Sequence, residues 1–171
     1  RYMSRHAGKA VSKAALVSSV LPFRLLTEDN PLGTEQAAFD QTALALNADR
    51  PKFLAAFFDK FFGVTSDAQP VSDELLQWAR NVALQGSLKA TLECVRSFSS
   101  TDFRPDLAAF KVPTLIIHGS DDQTVPIDAS ARLAVKGIAN CTMIEYQGAP
   151  HGLFATHMQR LTDDLLGFLA A

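Results

Sequence analysis

Val112-Pro113-Thr114-Leu115-Ile116-Ile117-His118-Gly119-Ser120-Asp121-Asp122-Gln123-Thr124-Val125-Pro126 is the stretch on which the fold is decided. It opens with a β-branched apolar run, bounded by a proline and closed by His118-Gly119, which reads as a buried strand. Pro126 then opens a helix running to about Lys136. Thr142 to Tyr146 alternates as a second strand, and Gly148-Ala149-Pro150-His151-Gly152 is a loop. Leu161, Leu165, Phe168 and Leu169 mark a closing amphipathic helix. Strand, helix, strand, helix implies parallel strands joined by right-handed crossovers, hence an α/β sheet.

Upstream, residues 1–8 read as the end of a helix, with Gly8 as its C-cap. Ala14 to Val20, closed by Pro22, reads as a further buried strand, and residues 27–34 as a turn-rich loop. Residues 35–98 hold about four helices and no convincing strand. Phe53, Phe57 and Phe61 recur every four residues beside a second row of Leu54, Phe58 and Phe62, making a wide apolar helix face. That face packs on a core or lines an apolar pocket, with Trp78, Phe57 and Phe61 as candidate wall residues. Ser72 is an expected N-cap with Asp73 and Glu74 in the first turn, and Gly86 breaks the helix that follows.

Composition narrows the function classes. The chain has 171 residues, 47% hydrophobic and 20% charged, with a formal net charge of −2. That suits one domain with a substantial core, and the absence of a basic run argues against a nucleic-acid partner. No apolar stretch is long enough for a membrane helix, and Arg1 to His6 leads into no apolar signal region. Cys94 and Cys141 are too few for a disulfide framework or a cysteine-rich zinc site. They are expected as small buried apolar residues in a reducing, cytoplasmic setting.

Two polar clusters, His118 to Pro126 and Gly148 to Gly152, each directly follow a predicted strand. In open α/β sheets, sites form at the carboxyl ends of strands. Asp122 and His151 are 29 residues apart, one helix and one strand, so a single crossover sets them side by side. An acid reaching an imidazole fixes its tautomer and stabilises the imidazolium. The competing reading of Asp122 is an Asx-turn, and that of His151 a plain loop histidine. His118 is expected as a structural histidine; His6 and His157 are expected at the surface. His118, His151 and His157 with Asp121 and Asp122 show no metal-ligand spacing, so no metal is expected. Nothing near Cys94 suggests a lowered pKa, so it is a poor nucleophile.

Five stretches, Arg1–His6, Lys13–Val20, Ser99–Phe103, Val112–Pro126 and Gly148–Leu153, resemble the α/β-hydrolase family. Within it the chain is most similar to the cofactor-free, non-heme chloroperoxidases, arylesterases and perhydrolases. The resemblance implies a triad in the chain order Ser, Asp, His, with Asp122 as the acid and His151 as the base; Asp121 is one residue early in the motif. It further implies an α/β core formed by residues 1–21 and 101–171, a helical cap at 22–100, no cofactor, and a small-molecule ester substrate.

The family's nucleophile turn, G-x-S-x-G, is absent from the 171 residues. Ser87 follows Gly86 and Ser120 follows Gly119, yet neither completes the motif. In the family, the helix resembling residues 1–8 directly follows that turn. The expectation is therefore a chain that starts just past its serine and needs an N-terminal portion for activity. Alone it would be inactive, with three parallel strands and an open apolar edge. The alternatives are another α/β-hydrolase chemistry, lactonase or C–C hydrolase, or an inactive module or half of a two-part assembly.

Overall fold

A computed structural model describes all residues 1–171. Its elements are α1 (Tyr2–Arg5), β1 (Ala14–Val17), α2 (Gln36–Ala48), α3 (Arg50–Phe62), α4 (Asp73–Gln85), α5 (Leu88–Ser100), α6 (Arg104–Leu107), β2 (Thr114–Gly119), α7 (Ala131–Gly137), β3 (Cys141–Tyr146), α8 (Leu153–Thr156) and α9 (Met158–Ala170). The three strands form one parallel sheet in the order β1-β2-β3. Ala14 pairs with Thr114, and Thr114 in turn with Cys141, so all three strands start level. Their carboxyl ends therefore share one edge.

β2 is buried along its whole length, as its unbroken apolar run requires of a central parallel strand. Its side chains alternate between two cores. Ile116 joins Met3, Leu107, Ile127, Ala131 and Ala134 on the face covered by α1, α6 and α7. Leu115 and Ile117 join Tyr146, Leu153 and Leu161 on the face covered by α8 and α9.

Of the five helices between β1 and β2, the four long ones form two pairs, α3 on α4 and α2 on α5. Local signals set their ends. Asp49 accepts from the Lys52 amide (3.0 Å), Ser72 from Leu75 (3.2 Å) and Ser87 from Ala90 (3.3 Å), each satisfying one free N–H of a first turn. Gly63 ends α3 in the left-handed conformation, φ 74°, which glycine adopts without penalty. A third core of Phe62, Val71, Leu76 and Ala79 seals α3 to α4, and Ala155 of α8 packs against it.

Several expectations are corrected. α1 ends at Arg5, with His6 rather than Gly8 as its C-cap; Gly8, φ 64°, lies in the following turn. β1 stops at Val17 rather than Val20, because Ser18 turns to φ 45°. The helix expected from Pro126 is split into a 3-10 turn at Ile127–Ala129 and α7, with Ser130 non-helical between them. On α9, Leu161 is buried and Leu165 and Phe168 pack on the core, but Leu169 is 60% exposed. Cys94 is exposed, not buried, and Cys141 is half-buried. No helix is long and apolar enough to cross a membrane.

Candidate active site

Each strand delivers one segment to the shared edge: Ser18 after β1, Ser120–Pro126 after β2, and Gln147–Gly152 after β3. The second and third are laced together by main-chain bonds. Ser120 N donates to Tyr146 O (2.9 Å), and Asp121 N to Ala149 O (3.1 Å). The approach is so close that a Cβ on Gly119 would lie 2.1 Å from the Ala149 carbonyl oxygen. Only glycine fits there.

Asp122 is buried, and its two oxygens divide two tasks. Oδ1 accepts from the amides of Thr124 (2.9 Å) and Val125 (2.7 Å), an Asx-turn that fixes the loop. Oδ2 accepts from His151 Nδ1 at 2.6 Å and lies 3.0 Å from His118 Nε2. One carboxylate thus makes both the Asx-turn and the contact with His151. Burial works to raise its carboxyl. The hydrogen bonds from His118 and His151, the charge of His151 and the Val125 amide outweigh burial and hold the group well below the usual carboxylate range. Asp121 is exposed, with its carboxylate bonded to Gln123, and it does not reach the histidine.

His118 is fully buried. Its Nε2 faces only acceptors, Val125 O at 2.8 Å and Asp122 Oδ2, so Nε2 carries the proton. Sequence reading placed this residue as structural and missed its contact with the acid. The clue was its position four residues before Asp122, at the end of the same strand. His151 Nδ1 likewise faces a carboxylate and must donate. Its other nitrogen, Nε2, makes no hydrogen bond within the chain. Phe61 packs edge-on against the His151 ring, centroids 4.7 Å apart, while Gly152 N donates to Phe61 O (2.9 Å). α3 thereby holds the histidine loop.

His151 lines a cavity of about 800 Å³ between the strand-end loops and helices α2, α3 and α5, with Phe53, Phe57 and Phe98 among its walls. Phe57 faces it as expected. Phe61 instead braces His151, and Trp78 is 61% exposed and away from the cavity. Cys94 and Arg24 also line the cavity. His157 is not a surface residue but half-buried, taking a Thr156 contact (2.9 Å) and packing on Tyr146; His6 is exposed. Ser18 donates its hydroxyl to the main-chain carbonyl of His151 (2.9 Å), not to the ring. No group of three His, Cys, Asp or Glu side chains is arranged to hold a metal ion.

A parallel sheet with a helical insertion, and an acid–histidine pair at its carboxyl edge, match the C-terminal part of the α/β-hydrolase fold. Known proteins agree. A bromoperoxidase structure from Bacillus anthracis matches all of this chain and 62% of its own, with a TM-score of 0.95 and 36% identity. A non-heme haloperoxidase of Rhodococcus erythropolis is 38% identical over 99% of this chain and 62% of its own. A bifunctional esterase/perhydrolase of Acinetobacter calcoaceticus is 35% identical over 98% of this chain and 61% of its own. No family model matches the chain. The chain is similar over almost its whole length to non-heme chloroperoxidases and haloperoxidases, and it has the architecture of the C-terminal part of the α/β-hydrolase fold. It spans about three fifths of the length of these relatives.

Proposed function

We propose that Asp122 and His151 are the acid and base of a Ser-Asp-His triad in an ester hydrolase, and that the nucleophilic serine comes from outside residues 1–171. The observation carrying this reading is the 2.6 Å bond from His151 Nδ1 to a buried, ionised Asp122, with Nε2 free of any hydrogen bond within the chain and His151 lining the cavity. In that arrangement Nε2 takes the proton of the serine hydroxyl as it attacks an acyl carbonyl. The imidazolium, stabilised by Asp122, then returns the proton to the departing alkoxide. Water releases the acid; hydrogen peroxide in its place releases a peracid, which can pass an oxygen to halide without heme or metal. The named relatives, haloperoxidase and esterase/perhydrolase, support both branches. Residues 22–100 act as the cap over the acyl pocket, and a small ester is the substrate.

The test is hydrolysis of 4-nitrophenyl acetate by the protein expressed from its complete open reading frame, beside its His151→Ala variant. Loss of a triad member removes about three orders of magnitude or more in kcat. A frame that encodes no G-x-S-x-G ahead of Arg1, or a variant retaining kcat, overturns the reading.

A further inference from the structure

Arg24 lies on the segment joining β1 to α2, is only 6% exposed, and lines the cavity that His151 enters. Its guanidinium is poorly satisfied. Nη2 makes two long contacts, to Thr34 Oγ1 and to the Thr124 carbonyl, both 3.3 Å. Nε is buried without a partner, and no carboxylate lies within ion-pair distance of the side chain. Arg50 and Arg80 also bury an unpartnered Nε, but each is otherwise well held. Arg80 pairs with Asp59 at 2.8 Å, and Arg50 donates to the carbonyls of Gly86 (2.9 Å) and Ala83 (2.8 Å). Arg24 has nothing comparable. Asp122 is near enough for its charge to act on Arg24, against the burial that lowers the guanidinium. Yet both Asp122 oxygens are already engaged by two amides and two imidazoles.

The rest of the cavity lining sharpens the contrast. It includes no Asp or Glu, and its other formal cation is Lys60, exposed at the end of α3. A buried guanidinium with spare donors, set in a largely apolar wall, is suited to a planar anion. A carboxylate matches its fork with two parallel bonds, whereas an ester or amide carbonyl offers one acceptor and no charge. A phosphate dianion calls for more donors than one fork supplies here.

We propose that Arg24 forms a carboxylate-binding subsite, and that the substrates are esters or lactones carrying a free carboxylate on an apolar body. This rests on the cavity being the acyl pocket of the hydrolase. The carboxylate seats on Arg24, the apolar body lies along Phe53 and Phe57, and the scissile carbonyl is presented toward His151.

Binding of 3-phenylpropanoate to the 171-residue chain, followed by calorimetry, tests the subsite without requiring turnover. Its neutral isostere 3-phenylpropanamide serves as reference, and Arg24→Met, Arg24→Lys and Lys60→Met are titrated alongside. Charge-assisted bonding predicts that the acid binds about tenfold or more tighter than the amide. Arg24→Met should erase that preference while leaving amide affinity within about twofold, and Arg24→Lys should retain part of it. Equal binding of acid and amide, a preference surviving in Arg24→Met, or one lost only in Lys60→Met overturns the proposal. So does displacement of the acid by equimolar inorganic phosphate. Should Arg24→Met fail to fold by circular dichroism, the acid–amide comparison in the parent chain and in Arg24→Lys still decides. Lost acid preference with His151-dependent hydrolysis intact refutes the subsite alone. Intact preference with no such hydrolysis refutes the triad.

Discussion

Replacing Asp122 by Asn isolates the contribution of one charge while keeping the shape of the side chain. The amide oxygen can still accept from Thr124 and Val125, so the Asx-turn survives. The amide nitrogen, however, would face the N–H groups of His118 and His151, where Oδ2 now accepts from His151 and lies 3.0 Å from His118 Nε2. The charge-assisted bond from His151 puts the loss at about 1.5–3 kcal/mol at neutral pH. The pH dependence has a definite sign. Because the folded carboxyl is held below its unfolded value of about 3.9, its contribution is complete above that value. It fades as pH falls toward the folded value, by about 1.4 kcal/mol per unit. Urea denaturation followed by far-UV circular dichroism at pH 5, 4 and 3 reads the difference between the two proteins. Carboxylates common to both cancel in that difference. A gap below about 1 kcal/mol at pH 5, or one that does not narrow between pH 4 and 3, would refute an ionised Asp122 bonded to His151.

Two other substitutions probe the frame around the site. In Gly119→Ala the new Cβ would sit 2.1 Å from the Ala149 carbonyl oxygen and 2.7 Å from that of Pro150. Main chain meets side chain there, so the His151 loop must move. The expected loss exceeds about 2 kcal/mol by thermal denaturation, and a loss under about 0.5 kcal/mol would contradict the close approach. Tyr146→Phe removes a 2.6 Å bond from a fully buried ring to Asp164. It should cost about 1–2 kcal/mol in urea, with no change between pH 6 and 9, since burial and then Asp164 push the phenol well above its ordinary value.

How legible this was in the sequence depended on the range of the interactions. β2 was plain because a central parallel strand, buried on both faces, must be apolar throughout, and Leu115 to Ile117 are. Asp122 and His151 were legible as neighbours because consecutive parallel strands leave their carboxyl ends level. Helix caps such as Ser72 were local and therefore readable. What failed was set by tertiary contact. His118 looks like an ordinary strand end until the Asp122 turn folds back onto it. Trp78 and Phe61 share helical patterning with true wall residues, but packing of α3 on α4 and of Phe61 on His151 sends them elsewhere. Arg24 lies in a segment without periodicity, so no pattern marks its burial. Ser130 interrupts the helix after Pro126 because its hydroxyl bonds back to the Pro126 carbonyl (2.8 Å) in place of helical geometry.

The central claim is that Asp122 holds the proton of His151 on Nδ1, leaving Nε2 as the basic nitrogen. Long-range proton–nitrogen correlation spectra of the chain labelled with ¹⁵N-histidine, at a pH where the imidazole is neutral, report the tautomer directly. The account predicts a protonated Nδ1 and a pyridine-type Nε2 for His151, with that preference lost in Asp122→Asn. A protonated Nε2 in the parent protein, or a tautomer unchanged by the substitution, would contradict it.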